Sequence, residues 1–520
     1  MPLGYEILGS CNKMSIAKKK RVYKKSGSTS WKGKTGWKKA EVVREARIER
    51  DWSIYQKDIF NDVLNGVGNT QVDALAGTGK TSTIVESCYY VPQTESSLLC
   101  AFNKRIQEEL ERRSPEWVDV KTLHSLGYGA CRRAFPKIGS PNKDKLSDYV
   151  RADRGDKAET YDLREGLGRA VSLCKGYLVD DEEGIDEILD KHDIDICGDK
   201  RGEFIGSVIK IMNACKKDTK QVDFDDMIWL PNVHGLSLTK YDRVFIDEAQ
   251  DLNLAQINLA LNSCKEEGRI LSVGDEHQAI YGFRGADSNA IQSIVNRMGS
   301  KRMPLSVTYR CALSIVRLAQ TLVPALEAAP GAIEGKVERI KDVELIKRVR
   351  PGDFILSRTN APLIKWCLAL LRERIPANIQ GRDIGQNLTG MIRKSKQKSV
   401  NSFLDWLKDY SRMEIGRMLK LKRDPTTIED KAACLEALCD GATSLNEVKD
   451  NIDRLFKDGD DKNRVILSTT HKAKGLERDR VFMLEGTYRR GKDTREENNL
   501  VYVAWTRAKN ELYLVTKSIT

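Results

Sequence analysis

The chain has 520 residues and a mass of 58.7 kDa, so it is too long for one hydrophobic core and long enough for two to four domains. Hydrophobic residues make up 40% of it, and no run of about 18 uncharged apolar residues occurs, which excludes a membrane-spanning helix from the predicted elements. Twelve scattered cysteines without a CxxC pair favour reduced thiols in an intracellular protein over a disulfide framework or a zinc module.

The net charge of +12 is concentrated at the N-terminus. Residues 1–50 contain 14 basic and 4 acidic residues, whereas the rest of the chain contains 73 basic and 71 acidic residues. Because this first segment is rich in Lys, Gly and Ser, we predict a disordered basic tail over residues 1–50. Such a tail indicates a polyanionic partner, most often nucleic acid, and its KKKR run at 18–21 is also compatible with a nuclear localisation signal.

After residue 51, short apolar runs alternate with amphipathic stretches, a pattern typical of parallel α/β units. The predicted strands are 72–75, 98–102, 244–246, 270–273, 354–356, 465–467, 481–484 and 512–515. Two stretches, 141–222 and 375–455, break the alternation with apolar residues at helical spacing. We therefore predict an α/β protein with two parallel sheets and a mostly helical insertion in each.

The first predicted strand leads into a glycine-rich loop, and a helix is predicted from Ser82 onward. The loop reads Ala76, Gly77, Thr78, Gly79, Lys80, Thr81. Its glycines let backbone N–H groups surround a phosphate, Lys80 reaches the β and γ oxygens, and Thr81 offers a hydroxyl to Mg²⁺. The strict GxxxxGK[ST] pattern fails at its first position, Ala74, so a chance glycine loop is the alternative for this segment alone.

Two adjacent carboxylates, Asp247 and Glu248, follow the purely apolar run 244–246. On a strand they point in different directions, so Asp247 can hold Mg²⁺ while Glu248 polarises a water molecule. A surface acidic pair is the alternative, but it rarely follows a purely apolar strand. The loop and the carboxylates together predict the hydrolysis of ATP or GTP.

Further segments resemble, in the correct order, motifs II to VI of the UvrD/Rep-type superfamily 1 DNA helicases. They are DEAQD (247–251), GDEHQAIYGFRGA (274–286), TYR (308–310), THKAKGLE (470–477) and VYVAWTRAK (501–509). FNK at 102–104 and KTLHSLGYG at 121–129 are similar to motifs Ia and Ib. The resemblance covers about residues 52–515 and is closest in wording to the F-box DNA helicase branch. No F-box is recognised before residue 51, so a ubiquitin-ligase role is not expected.

The resemblance implies two RecA-like domains, each carrying a helical insertion. Domain 1A, which binds ATP, would comprise residues 51–140 and 223–300, with insertion 1B at 141–222. Domain 2A would comprise residues 301–374 and 456–520, with a small insertion 2B at 375–455.

The resemblance also implies roles for residues around the nucleotide. These are an adenine-reading glutamine, Gln56; a γ-phosphate sensor, Gln278; two arginines that reach the γ-phosphate, Arg310 and Arg507; a tyrosine that stacks on adenine, Tyr309; and a motif V glutamate, Glu477. With Glu248, the sensor and the two arginines form the expected catalytic set. For Gln56 the alternative is a solvated helix residue. Ser82 stands where many members have an arginine against the base, so its adenine contact would be weaker.

For DNA, the resemblance implies that Thr122, His124 and His471 line the strand's path. Tyr281 and Phe283, which lie beside the γ-phosphate sensor, are expected to stack on single-stranded bases. Core packing of the aromatics and structural roles for the histidines are the alternatives.

The resemblance implies a Mg²⁺- and ATP-dependent helicase that translocates 3′→5′ on single-stranded DNA and acts on tailed duplexes in DNA repair, recombination or replication. The alternative is an ATP-driven remodeller that strips proteins from DNA without processive unwinding. A degenerate ATPase scaffold is disfavoured because Lys80, Glu248 and Arg507 are all present. We expect a cytoplasmic location, at a nucleoid or in a phage-infected cell, rather than a nuclear one.

Overall fold

A computed structural model describes most of the chain beyond its N-terminal segment. The described residues are 45, 47, 50–155, 161–192, 194, 196, 198–282, 285, 289–420, 425–456, 463–488 and 495–517. Almost all of the expected basic tail and the aromatic residue Phe283 therefore lie outside the described residues.

The first domain is built on a six-stranded parallel sheet in the order β3-β2-β4-β5-β1-β6. Strands β1 to β6 are, in chain order, Thr70–Ala74, Ser97–Ala101, Val118–Thr122, Tyr241–Ile246, Cys264–Gly274 and Lys301–Leu305. The apolar runs predicted from the sequence form the buried strands of this sheet. Helices cover both of its faces and exclude water from it. Carboxyl ends of parallel strands meet at one edge of a sheet, where α/β proteins bind their ligands.

Helices α1 to α11 accompany this sheet. In chain order they are Ile54–Asn65, Lys80–Ser87, Lys104–Arg113, Leu123–Ala134, Lys145–Arg154, Tyr161–Tyr177, Glu182–Lys191, Gly198–Lys217, Phe224–Val233, Leu254–Leu261 and Ala290–Met298. Helices α5 to α8 form the first insertion, and their apolar core is completed by Cys131 of α4 and by Trp229 and Leu230 of α9.

A buried ionic cluster joins this insertion to helix α9. Lys175 donates hydrogen bonds to Asp226 at 2.7 Å and to Asp223 at 3.4 Å, and Lys145 donates to Asp226 at 2.7 Å. The side chains of Lys145, Lys175 and Asp226 are at most 1% exposed. Burial disfavours the charge on Lys175, but Asp226 and Asp223 outweigh it and raise the pKa of its ammonium group.

Replacing Lys175 by methionine should therefore lower the free energy of unfolding of the first domain by about 3–5 kcal/mol, because it removes the cation that pairs with Asp223 and leaves buried Asp226 with Lys145 alone. Urea unfolding followed by circular dichroism measures the change. The matched control is Lys210→Met, because Lys210 also pairs with an aspartate, Asp153, but its own side chain is 73% exposed. For this control we expect the free energy of unfolding to change by about 0–1 kcal/mol. Equal effects of the two substitutions would contradict the role of the cluster.

The second domain is built on another six-stranded parallel sheet, in the order β11-β12-β10-β13-β14-β9. A two-stranded pair between the domains, β7 (Val307–Thr308) and β8 (Glu327–Ala328), precedes it in the chain. Strands β9 to β14 are Lys336–Lys341, Phe354–Ser357, Ala377–Ile379, Val465–Thr469, Arg478–Leu484 and Ala508–Thr516. Helices α12 to α20 are Leu313–Ala319, Asp342–Arg348, Ala361–Arg372, Arg382–Ser395, Val400–Lys420, Thr426–Cys439, Leu445–Leu455, Thr470–Ala473 and Arg495–Trp505.

The predicted α/β class, with its parallel sheets, is confirmed, and each of the eight predicted strands lies in a sheet. Two edge strands shift the expected domain limits. Strand β6, at 301–305, pairs with β1 and so belongs to the first domain, and β11 lies inside the stretch predicted to be the second helical insertion. That insertion, α15 to α18, begins only after β11. Among the described helices, none is both long and apolar enough to cross a bilayer.

Candidate nucleotide site and nucleic-acid track

The loop after β1 has the backbone of a phosphate cradle. Gly77 and Gly79 adopt left-handed conformations, with φ of +74° and +82°, which favour glycine. A Cβ atom on Gly77 would lie 2.4 Å from Thr308 Oγ1 and 2.6 Å from Arg310 Cβ, so the second domain approaches this loop closely. Helix α2 begins at Lys80 rather than at Ser82, and no side chain caps its first turn, so its N–H groups and its dipole face the loop.

The two predicted carboxylates lie next to this loop, after β4. Asp247 is buried and accepts a hydrogen bond from the Thr81 hydroxyl at 3.2 Å. Glu248 has a left-handed backbone with φ of +51°, unusual for a residue with a side chain, and its carboxylate accepts a hydrogen bond from Gln250 at 2.5 Å. Hydroxyl and carboxylate oxygens are the ligands that hard divalent cations take, so Thr81 and Asp247 fit such an ion.

The surroundings of Asp247 and Glu248 shift the pKa values of the two carboxyl groups in opposite directions. Burial, followed by the neighbouring charge of Glu248, raises the pKa of Asp247 to about 7. Burial also opposes the ionisation of Glu248, but Lys80 and Lys474 outweigh it and lower the pKa of that carboxyl. Glu248 is therefore the carboxylate that stays ionised and can accept a proton from water.

Gln278 and Arg507 meet at the cleft between the two domains. Gln278 is buried and donates to Asp275 at 2.6 Å, while its amide oxygen lies 3.5 Å from the Arg507 guanidinium. Arg507 is 1% exposed, and burial, then the nearby charge of Arg310, lowers its pKa to about 9. Among the described residues no carboxylate pairs with it, since its hydrogen bonds go to carbonyl, hydroxyl and amide oxygens. Such a guanidinium attracts an anion.

Arg310 lies on the same side of the cleft. It pairs with Glu477 at 2.5 Å and donates to the carbonyl of Thr506 at 3.1 Å, so its position depends on motifs V and VI. Tyr309 donates its backbone N–H to the Gly77 carbonyl at 2.9 Å, and its side chain is 52% exposed and free to take a flat partner. These contacts bring Tyr309 and Arg310 next to the phosphate loop, with Glu477 behind Arg310, and their roles toward a nucleotide stay predictions.

Gln56 and Ser82 border the same loop. Gln56 is buried rather than solvated: it completes the capping box of α1 with Ser53 and donates to the Thr83 hydroxyl at 2.9 Å. The Ser82 hydroxyl accepts hydrogen bonds from Arg50 and Arg113, both at 3.1 Å. Both residues thus lie at the site, and their contacts with adenine stay predictions.

A lysine that the sequence analysis did not single out connects the domains beside the nucleotide site. Lys474, which follows helix α19, donates to both carboxylate oxygens of Asp251, at 2.7 Å and 2.6 Å. It also donates to the Gln278 carbonyl at 2.8 Å and lies 4.8 Å from the centre of the Tyr281 ring. We call this pair the Asp251–Lys474 bridge, and its side chains are only 3% and 9% exposed.

The expected nucleic-acid residues lie in two places. Thr122 caps helix α4 by accepting from Ser125 N–H at 3.1 Å, and His124 is half-buried on that helix. Burial lowers the pKa of His124, so it is neutral near pH 7. On the second domain, the His471 carbonyl accepts a hydrogen bond from the Tyr281 hydroxyl at 3.2 Å. Tyr281 therefore lies at the interface between the domains, with Lys474 over its ring.

Phe224 is an aromatic that the sequence analysis did not identify. It begins helix α9, its side chain is 57% exposed, and its ring centre lies 6.3 Å from that of His124. Phe102, which follows β2, is also exposed. The sequence analysis missed Phe224 because a sequence does not show which aromatic side chains are exposed. An aromatic residue at the start of a helix is normally predicted to be buried in the core.

Two family models match the chain. Residues 56–298 match the UvrD/REP helicase N-terminal domain, and residues 382–518 match the UvrD-like helicase C-terminal domain. The chain belongs to the UvrD/Rep helicase family. The resemblance inferred from the motifs is thereby confirmed.

Individual relatives in this family are distant. F-box DNA helicase protein 1 of Schizosaccharomyces pombe is 25% identical over 518 residues, which cover 88% of this chain and 57% of that protein. F-box DNA helicase 1 of Gallus gallus is 25% identical over 88% of this chain and 48% of its own length. ATP-dependent DNA helicase Rep of Escherichia coli is 24% identical over 50% of this chain and 40% of its own length. The chain thus spans about half the length of the first two relatives.

Proposed function

We propose that this UvrD/Rep-family chain hydrolyses ATP to move 3′→5′ along single-stranded DNA and to separate tailed duplexes. The observation that supports the proposal is a pair of arginines of the second domain at the cleft: Arg310, whose Cβ lies against Gly77 of the phosphate loop, and Arg507, whose guanidinium lies 3.5 Å from the Gln278 amide oxygen. Cations supplied across a cleft stabilise the transferring phosphoryl group only while the cleft is closed, so hydrolysis is coupled to domain motion. The direction of movement rests on family membership.

The chemistry follows from the residues around the loop. The backbone of the loop and Lys80 would hold the phosphates, and Thr81 and Asp247 would hold Mg²⁺, which supplies charge neutralisation on the phosphate oxygens. Glu248, ionised beside Lys80, would orient and deprotonate the attacking water. Gln278, held by Asp275 and adjacent to Arg507, would report the presence of the γ-phosphate.

The strand would lie across the carboxyl ends of β2 and β3. Exposed aromatics at this edge, Phe102 and Phe224, can stack on bases beside His124, and each stacked base contributes about 1–3 kcal/mol. In the sheet order, β2 is the neighbour of β4, whose carboxyl end carries Asp247 and Glu248, so closure at ATP can move residues that touch the strand.

A strand-displacement assay on duplexes with 3′ or 5′ single-stranded tails, with ATP hydrolysis measured in parallel, tests the proposal. We expect DNA-stimulated hydrolysis and displacement of the 3′-tailed duplex only. Removal of Mg²⁺ with a chelator should stop both activities. Hydrolysis that strips a bound protein from DNA without displacing a strand would instead identify a remodeller, and hydrolysis without any stimulation by DNA would contradict the proposal.

A further inference from the structure

A tyrosine of the second domain bonds directly to the backbone of the phosphate loop. The Ala76 N–H donates to the hydroxyl of Tyr502 at 3.0 Å, across 426 residues of sequence. Tyr502 lies on helix α20 and is 1% exposed. With the bond from Tyr309 N–H to the Gly77 carbonyl, this contact holds two successive loop residues between partners from the second domain.

The same tyrosine is rigidly connected to Arg507. Its carbonyl accepts from the Thr506 N–H at 3.0 Å and from the Thr506 hydroxyl at 2.8 Å, and that hydroxyl accepts from the Arg507 guanidinium at 3.3 Å. The Arg507 Nε atom donates in turn to the Val503 carbonyl at 3.0 Å. Tyr502 and the guanidinium therefore move as one unit at the end of helix α20.

The surroundings keep the Tyr502 hydroxyl neutral. Burial, followed by the charge of Asp275, raises its pKa well above the ordinary value. The oxygen accepts from Ala76 while its own proton remains available, so one small group can both hold the loop and donate toward it. The rings of His277 and Tyr502 pack edge to face, with 6.0 Å between their centres.

We propose that Tyr502 is a positioning residue whose hydroxyl sets the register between the phosphate loop and Arg507 each time the domains close. The loop holds the phosphates and Arg507 stabilises their charge, so an error in this register displaces the guanidinium from the transferring group. The hydroxyl contributes to the closed cleft, not to the binding of ATP by the first domain alone. The inference rests on the proposed function and deepens it.

Tyr502→Phe removes the hydroxyl and keeps the ring. Loss of one hydrogen bond in the closed state should lower kcat for DNA-stimulated ATP hydrolysis about three- to tenfold, while KM for ATP changes less than twofold. The matched control is Tyr513→Phe, another buried tyrosine of the second domain, whose hydroxyl bonds Glu511 at 2.5 Å. We expect wild-type kinetics for this control.

A double-mutant cycle with Arg507→Ala, measured in single turnovers with excess enzyme, distinguishes positioning from general stability. If Tyr502 acts through Arg507, Tyr502→Phe should cause no further loss once the guanidinium is absent. An equal fractional loss in both backgrounds, or wild-type kcat in Tyr502→Phe, would overturn the inference. A wild-type chain that hydrolyses no ATP would instead contradict the proposed function.

Discussion

Glu248→Gln should reduce DNA-stimulated ATP hydrolysis by about 10²–10⁴-fold and leave ATP binding intact. Glu248 is held ionised by Lys80 and Lys474 and positioned by Gln250, and a neutral amide of the same shape cannot accept a proton from water. Lys80→Ala should instead weaken ATP binding itself, because the ammonium contacts phosphate before reaction begins. The two substitutions thus separate chemistry from binding.

Steady-state hydrolysis together with titration of a fluorescent ATP analogue measures this separation. The matched control is Glu344→Gln, which changes a glutamate of the second domain that is paired with Arg348 at the surface, and wild-type turnover is expected. Turnover by Glu248→Gln within a few-fold of wild type would remove Glu248 from the catalytic role.

Breaking the Asp251–Lys474 bridge should produce the second large effect. In Lys474→Met the closed cleft would bury Asp251 without its cation, and the cost of about 3–5 kcal/mol falls on the closed state alone. We expect DNA-stimulated turnover to fall about 10²-fold or more, since every tenfold corresponds to about 1.4 kcal/mol. ATP binding to the open first domain should change little.

Removing both charges provides the internal control. Asp251→Asn combined with Lys474→Met leaves no unpaired charge at the bridge, so turnover should recover relative to Lys474→Met alone. Lys509→Met is a matched single substitution, because Lys509 pairs with Glu477 at a partly exposed position in the same domain, and it should cost far less. A double variant slower than Lys474→Met would show that the bridge does not control closure.

Most elements could be predicted from the sequence because their signals are local. A strand covered by helices on both faces must be a short apolar run, and runs such as 98–102 and 465–467 form β2 and β12, which are interior strands of their sheets. Strands β6 and β11 could not be found in this way. Strand β6 is an edge strand that begins with two charged residues and is mostly exposed, and β11 has only three residues, so neither shows a long apolar run.

At the nucleotide site, too, local features could be predicted from the sequence and long-range contacts could not. The phosphate loop, the carboxylates after β4 and the family could be predicted from the sequence, because these depend on neighbouring residues with a required chemistry. The groups that meet across the cleft could not, because they come from distant parts of the chain. Tyr502 reaches Ala76 and Lys474 reaches Asp251 over 426 and 223 residues of chain, and no local pattern encodes either contact. Such pairs arise from the packing of two separately folded sheets, so their partners are known only once the domains are placed together.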